Sequence, residues 1–443
     1  MRASHDLSGV SASFDEANLV PCAGLLPAAV LAQRLGLAGL VDERVHLARH
    51  GANGGTKALS VIGSMLAGGD SIDDTALLRA GALPELFDQT RAPSTIGSWL
   101  RAFKWHNVRQ FDAVPRELLA RLWQAGAGPG DLTGPMTLDL DSTIVAVFGR
   151  GKQGAAFGYT KVRGYHPQLA THAETGQVLF SRLRGGSAGA ARGAKSFLTE
   201  TISRVRSAGA TGELTVRADS AFYSKAVLGT AAKLGVRFSV TIRQDKKVRA
   251  AIDAIGEHAW APIPYWLSSP EVSGADVAET TYTCFSGSKQ AITVRLIVRR
   301  VRPTPGSQLA LFTDWDYHAF VTDRLGDVLD LEADHRRHAI VEQSIAELKS
   351  AGLAHLPSGK FTANAAWLAL SAMAHNLGRA VGALTGTELN RATVATLRRT
   401  LFTAPGRLVH SARRLDLRLP QNWPWAEAFT TALTAITAIP TRC

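Results

Sequence analysis

The sequence predicts an α/β protein: a mixed sheet with flanking helices, interrupted by a β-rich insertion and preceded by a helical N-terminal region. Three observations predict this. Residues 1–132 carry apolar side chains at helical spacing, as in "TKALSVIGSMLAGG". A Gly/Pro-rich linker, "GAGPGDLTGP", follows, and from Met136 the pattern changes to strands. Beyond it the elements read β-β-β-α-β-α-β, an antiparallel meander beside parallel crossover strands.

Within the helical region, "LLPAAVLAQRLGLAGLVDERV" reads as a buried amphipathic helix, because Pro27, Gln33 and Arg34 interrupt its apolar run. In "RAPSTIGSWLRAFKWHNVRQF", Ser94 or Thr95 caps a helix with Ile96, Trp99, Leu100 and Phe103 on one side. Arg101 and Lys104 lie elsewhere on its surface, as on a DNA-recognition helix or on an ordinary packed one. Residues 133–245 hold the first part of the sheet. "MTLDLDSTIVAVFG", "YHPQLATHA" and "GQVLFSRLR" are strands, the last two joined by the turn "AETG". A helix "AKSFLTETISRVRSAG", a strand "GELTVRADSAF", a helix "SKAVLGTAAKLG" and a strand "VRFSVTIR" follow. Residues 246–325 form the β-rich insertion, with strands in "ETTYTCFSG", "QAITVRLIVRRVRP" and "SQLALFTDW". Residues 326–385 return to helices, "HRRHAIVEQSIAELKSAG" and "ANAAWLALSAMAHNLGRAVGAL", and residues 386–443 form a basic, Trp-rich tail.

The chain has 443 residues, 46% hydrophobic and 19% charged, which suits a globular protein of more than one structural unit. Lys and Arg outnumber Asp and Glu 49 to 37, for a net charge of +12 and a pI near 9.9. Such an excess favours polyanionic partners, nucleic acid first. Three scattered cysteines, Cys22, Cys284 and Cys443, exclude a disulfide framework or a cysteine zinc site and fit a reducing cytoplasm. The N-terminal twenty residues lack the apolar core of a signal peptide, and no membrane span is expected.

The chemistry is carried by carboxylates. Residues two apart on a strand share a face, so Asp139 and Asp141 project together while Leu138 and Leu140 pack behind them. Asp219, in "ELTVRADSAFYS", sits just past the C-terminal end of a strand, where open α/β sheets place their active groups. Glu342 lies in a helix expected to start at an Asp334 cap. At 100° per residue His335, His338, Glu342 and Lys349 share a sector beside an apolar stripe of Val341, Ile345 and Leu348. Each acid alone has an ordinary explanation as a cap or a surface partner. Two strand carboxylates and one helix carboxylate together can hold a pair of divalent ions roughly 3.5–4 Å apart around a phosphate oxygen. All-oxygen ligands suit Mg²⁺.

On "LDLDSTIVAVFG", "GAAFGYTKVRGYHPQLA", "RADSAFYS", "VEQSIAELK" and "NAAWLALSAMAHNL", the chain resembles DDE transposases of the IS4/IS1380-like insertion-sequence group. The resemblance runs from about residue 20 to the end. It implies an RNase H-like catalytic core and an N-terminal DNA-binding region. It also implies a metal and catalytic triad of Asp141, Asp219 and Glu342, with Asp139 as the alternative first ligand. Mg²⁺, with Mn²⁺ as a substitute, is the implied cofactor. The implied partners are DNA, at the inverted-repeat ends and the target, and a second copy on that DNA; no small-molecule cofactor is implied. The family's helix motif of Tyr, Arg, Glu and Lys falls on His335, His338, Glu342 and Lys349, and the resemblance implies that His335, His338 and Lys349 contact DNA. Glu and Lys keep their spacing while Tyr and Arg are replaced by histidines, which weakens the implied grip of that turn on phosphate. The loop bearing Lys152, Lys161 and Arg163 falls beside the first acid and is expected to hold the scissile strand.

Three other readings stand beside this one. "LDLDST" also opens haloacid-dehalogenase-type phosphatases, with Lys246 or Lys247 and the Asp314/Asp316 pair completing the set. That signature opens a parallel doubly wound sheet, whereas two antiparallel strands follow here. A transposase-derived DNA-binding protein that has lost cleavage is suggested by the two histidines. A relative that only hydrolyses DNA would share the acids. The expectation is Mg²⁺-dependent cut-and-paste transposition by a bacterial insertion sequence.

Overall fold

The computed structural model describes residues 7–87, 90–158, 160–189, 191–264, 274–303, 315–411 and 414–442. Its longer helices are α1 (Leu26–Arg34), α2 (Leu37–Arg44), α3 (Gly54–Ala67), α4 (Pro93–Arg101), α5 (Trp105–Phe111) and α6 (Ala113–Gln124) before the sheet. Within the sheet region come α7 (Ala194–Ser207), α8 (Lys225–Lys233) and α9 (Lys246–Asp253), followed by α10 (Val328–Arg336), α11 (Ile340–Leu348), α12 (Phe361–Ala383) and α13 (Ala426–Ala438). The main sheet uses β1 (Met136–Ser142), β2 (Gln168–His172), β3 (Val178–Arg182), β4 (Leu214–Ala218) and β5 (Arg237–Thr241). It continues with β6 (Ala261–Pro262), β7 (Ala275–Cys284), β8 (Ile292–Val301) and β9 (Asp316–Thr322).

These nine strands form one sheet in the order β6-β7-β8-β9-β5-β4-β1-β2-β3. β1, β4 and β5 run parallel, as the crossover helices α7 and α8 require, and the remaining pairings are antiparallel. The β-rich residues 261–322 therefore extend the same sheet from the free edge of β5. The third strand expected there lies later than "SQLALFTDW", most of which falls outside the described residues together with Trp266 and Asp314. Arg295, Arg299 and Arg300 on β8 are paired with Glu279, Glu332, and Glu257 and Asp276, so they brace the sheet. The Arg300 guanidinium also lies 4.3 Å from both the Trp260 and Trp315 rings.

The helical region packs on α12, whose interior position shows in its composition: apolar nearly all round, with 19 of its 23 residues buried. Its few polar side chains satisfy neighbouring backbone. Asn376 accepts from Val178 N–H (2.7 Å) and donates to Val178 C=O (2.8 Å), acting as a strand partner along edge strand β3. Trp99, Phe103 and Phe111 meet edge to face, with centroids 5.3, 6.2 and 5.5 Å apart.

Several expected boundaries move. The single helix over Leu25–Val41 is two, α1 and α2, bent by 51° at Gly36, which takes a left-handed φ of 65°. No single helix among the described residues is long and apolar enough to cross a membrane. α4 starts at Pro93 with Ala92 as its cap, so Ser94 and Thr95 are inside the helix; Pro93 needs no N–H partner and already has helical φ. Asp334 does not cap the Glu342 helix. Asp327 caps α10 by accepting from Leu329 N–H at 2.8 Å, and Asp334 sits within that helix. The strand expected over 136–149 ends at Ser142, and Val145–Ala146 turns into a small sheet with Arg163–Tyr165 and Ala156–Phe157. The tail hairpin, Gly406–Ser411 with Arg414–Arg418, pairs with Leu19–Val20 near the start of the chain.

Candidate active site

The site follows from strand register. In the parallel pair β1–β4, Asp139 lies opposite Arg217 and Leu140 opposite Ala218. One step further brings Asp141 alongside Asp219, just beyond the end of β4. Alternation puts Asp139, Asp141, Arg217 and Asp219 on one face, while Leu138, Leu140, Val216 and Ala218 are fully buried on the other. Asp219 is fixed by its own turn, its carboxylate accepting from Ala221 N–H at 3.1 Å.

The two aspartates of β1 have different surroundings. Asp139 and Arg217 are each 1% exposed and form a two-pronged pair, Nε to Oδ1 at 2.7 Å and Nη2 to Oδ2 at 2.8 Å. His338 Nδ1 lies 2.7 Å from the same Oδ1. Burial would raise the Asp139 pKa, but the hydrogen bonds from Arg217 and His338 outweigh it and leave the carboxyl below its ordinary range. Asp139 is thus fully occupied by the fold. Asp141 has no such cation. Burial pushes it up to about 6, helped by the charges of Asp219 and Glu342 and opposed by the Ser142 amide (2.6 Å) and His338. Asp219 is also raised, first by burial, against the amides of Ala221 and Phe222 and the nearby charges of His338 and Arg243.

The helix expected to carry His335 through Lys349 on one sector is broken. α10 ends at Arg336, a 3₁₀ turn spans Arg337–Ala339, and α11 begins at Ile340. His335 therefore faces the sheet, with Nδ1 2.8 Å from Ser239 Oγ and Nε2 3.0 Å from Thr241 Oγ1. Its ring stacks on Phe320 with centroids 4.0 Å apart. Burial first, then nearby cationic groups, hold its pKa well below 6.5. This placement overturns the expectation that His335 contacts DNA, because both ring nitrogens are already engaged inside. His338 is likewise turned toward Asp139. Asp334 continues the ionic chain, accepting from Arg324 and lying 3.3 Å from Arg217 Nη1. α11 keeps the expected apolar stripe of Val341, Ile345 and Leu348 and leaves Glu342 exposed in its first turn. Lys349 follows at the start of a π-turn and is half-buried.

The expected strand-holding loop is only partly free. Lys152 donates to the Leu356 carbonyl, and Arg163 donates to the Gly149 and Arg150 carbonyls, closing the loop from within. Lys161, at a left-handed φ of 56°, is exposed, as are Arg101 and Lys104. Two residues near the acids were not singled out from the sequence. His166, 1% exposed, lies 2.9 Å from Ser142 Oγ and 2.7 Å from the Ala188 carbonyl, so it fixes the residue after Asp141. Arg243 stands two residues past β5, in the field of Asp219. Their signals, a His before a strand and an Arg after one, are too common to stand out.

Among the described residues, no group of three carboxylate, imidazole or thiol side chains is gathered tightly enough to enclose a metal ion. The donor chemistry nonetheless fits a hard divalent cation. Asp141 and Asp219 are oxygen acceptors whose ionised forms burial disfavours, and Asp141 is further pushed up by Asp219 and Glu342. No curated protein matches the chain. Among solved structures, a piggyBac transposase in a synaptic complex with hairpin DNA matches at 12% identity. The match covers 86% of this chain and 80% of that one, with a TM-score of 0.39. The family model "Transposase DDE domain group 1" matches residues 3–441, so the chain belongs to that family and is a DDE transposase, a DNA-cleaving and strand-transferring enzyme.

Proposed function

We propose that this chain is the cut-and-paste transposase of a bacterial insertion sequence. It recognises the element's terminal inverted repeats and works as a homodimer on DNA, in the cytoplasm. The observation that carries the catalytic part is the pairing of Asp141 with Asp219 at the ends of two parallel strands. Both carboxyls are pushed above their ordinary range, while Asp139 beside them is locked to Arg217. The strand order β3-β2-β1-β4-β5, three antiparallel strands then two parallel ones, supports an RNase H-like core.

Asp141, Asp219 and Glu342 would hold Mg²⁺, which when bound supplies Lewis acidity at a phosphate oxygen. The remaining work belongs to the chain. β1 and β4 fix two acceptors side by side, the Asp139–Arg217 pair stops the strands from sliding, and α11 supplies the third carboxylate. Lys349 contacts phosphate near the cut. A water oxygen forms a bond to phosphorus as the 3′-oxygen leaves with a proton. The freed 3′-hydroxyl then attacks a target phosphorus, displacing a second 3′-oxygen.

The test uses full-length protein, linear DNA carrying the ends that flank its gene, and Mg²⁺. Asp141→Asn, Asp219→Asn and Glu342→Gln should each slow end cleavage by on the order of 10³, about 4 kcal/mol of barrier. Undiminished cleavage by any one of them would remove that residue from the triad.

A further inference from the structure

A second basic feature lies on the helical side of the molecule. A cavity of about 640 Å³ opens between the loop after α2, the end of α4 and the start of α5. Arg49, His50, Arg101, Lys104, His106 and Lys360 line it, and no described carboxylate does. We propose that this cavity seats backbone phosphates of duplex DNA and anchors the substrate there. The proposal rests on the reading that the chain acts on DNA.

The cavity wall is built rather than incidental. His50 and Asn53 hold left-handed φ values of 58° and 53°, a conformation L residues rarely adopt without support. Lys57 supplies that support. It is 5% exposed, and its ammonium donates to the His50 and Ala52 carbonyls at 2.7 and 2.6 Å. A buried cation thus fixes the loop that presents Arg49 and His50, and adds its own positive field. Across the cavity, Asn107 accepts from Lys104 N–H at 3.1 Å and donates to the His46 carbonyl at 2.7 Å, tying α5 to the same loop. Lys360 donates to the Arg101 carbonyl at 3.0 Å and directly precedes the 23-residue helix α12, whose N-terminal partial charge is positive.

The surface also continues toward the catalytic side. Gln153 N–H donates to Gly359 C=O at 2.9 Å and Phe361 N–H to Gln153 Oε1 at 3.3 Å, so the basic loop after β1 docks on the residues flanking Lys360. Trp105 is 63% exposed and meets Phe361 at 5.2 Å, while Phe148 and Phe157 on the loop are 98% and 66% exposed. Basic groups interleaved with exposed aromatic rings suit nucleic acid. Four Lys and Arg side chains, Arg49, Arg101, Lys104 and Lys360, with His50 and His106 beside them, exceed what one small anion would offset, which favours a polyanion.

The experiment measures duplex binding by full-length protein, from fluorescence anisotropy of a labelled random-sequence duplex titrated with KCl. Arg49→Gln, Arg101→Gln and Lys104→Gln combined should flatten the log–log salt slope by about 0.9 per contact, or about 2.7. A charge-matched control, Lys195→Gln, Lys233→Gln and Lys289→Gln, removes exposed lysines elsewhere and should leave the slope near wild type. A slope unchanged in the first variant, or lowered equally in the control, overturns the cavity assignment while leaving the DNA reading intact. Failure of the wild-type protein to bind any duplex overturns the DNA reading itself. If the triple variant melts early, Lys104→Gln alone separates the same outcomes, with an expected loss of about 0.9 of slope.

Discussion

Asp139 and Asp141 share a strand, a face and a side chain, yet conversion of each to Asn should move stability in opposite directions. Asp139→Asn removes the charge opposite Arg217, a guanidinium only 1% exposed. Breaking one side of such a buried pair costs roughly 3–5 kcal/mol. Asp334, 3.3 Å from the same guanidinium, offsets part of that loss and places the cost near the lower end, about 3 kcal/mol. Asp141→Asn removes a carboxylate that the fold disfavours. Its pKa is raised from 3.8 to about 6, and each unit is 1.36 kcal/mol, so the ionised group destabilises the fold by up to about 3 kcal/mol above pH 6. Below about pH 4 the group is protonated in both folded and unfolded chains and the penalty vanishes. It grows as pH rises through the interval to about 6, the reverse of a salt-bridged carboxylate.

Thermal melts of the full chain in EDTA at neutral pH provide the assay. At roughly 2 °C per kcal/mol for a chain of this size, Asp139→Asn should lower Tm by about 6 °C. Asp141→Asn should hold or raise it, with the gap from wild type closing near pH 4. Millimolar Mg²⁺ should raise the wild-type Tm and not that of Asp141→Asn, since a cation that binds only the folded state stabilises it. If Asp141→Asn costs several kcal/mol while Asp139→Asn is neutral, the two roles are reversed and Asp139 is the ligand.

Two further outcomes follow from the fold around the acids. His335→Ala loses a ring stacked at 4.0 Å and two hydrogen bonds, and should cost about 2–4 kcal/mol in a thermal melt without altering the DNA salt slope. A changed slope would return His335 to the DNA surface. Gly186→Ala places a methyl carbon 2.1 Å from the Gly164 carbonyl oxygen and 2.3 Å from that of Ala156, both backbone atoms, so limited proteolysis should cut 147–163 faster than in wild type. An unchanged cleavage rate would mean the small sheet absorbs the clash.

What the sequence revealed depends on how local the determinant is. β1 to β5, α7 and α8 were legible because apolar period and turn residues mark them residue by residue. Asp139 and Asp141 could not be separated that way, because alternation gives both the same face. Arg217 separates them, and it does so through strand register 78 residues away in sequence. The single sector from His335 to Lys349 failed because 100° per residue assumes an unbroken helix, and the 3₁₀ turn over Arg337–Ala339 shifts the phase. The joining of β7, β8 and β9 to the main sheet was equally invisible. Their patterning specifies strands, while only the exposed edge of β5 specifies where they pair.

The two histidines that replace the family's Tyr and Arg acquire a different meaning from this geometry. As departures in a linear motif they suggested a weakened grip on phosphate, since Arg forks onto phosphate and imidazole does not. In the fold, neither ring is placed for that grip. His335 bridges Ser239 and Thr241 beneath the helix break, and His338 completes the shell around Asp139. Both therefore fasten the turn that carries Glu342 to the sheet that carries Asp141 and Asp219, a positioning role that a long guanidinium beside buried Arg217 would fill poorly. On the proposed function, positive charge for the substrate would come from other positions. Arg243 stands in the field of Asp219, Lys349 directly follows the helix that carries Glu342, and Arg49, Arg101 and Lys104 line the cavity on the helical side. On the proposed function, the phosphate grip of this chain would be spread over these several elements, and the histidines would mark a redistribution of that role rather than its loss.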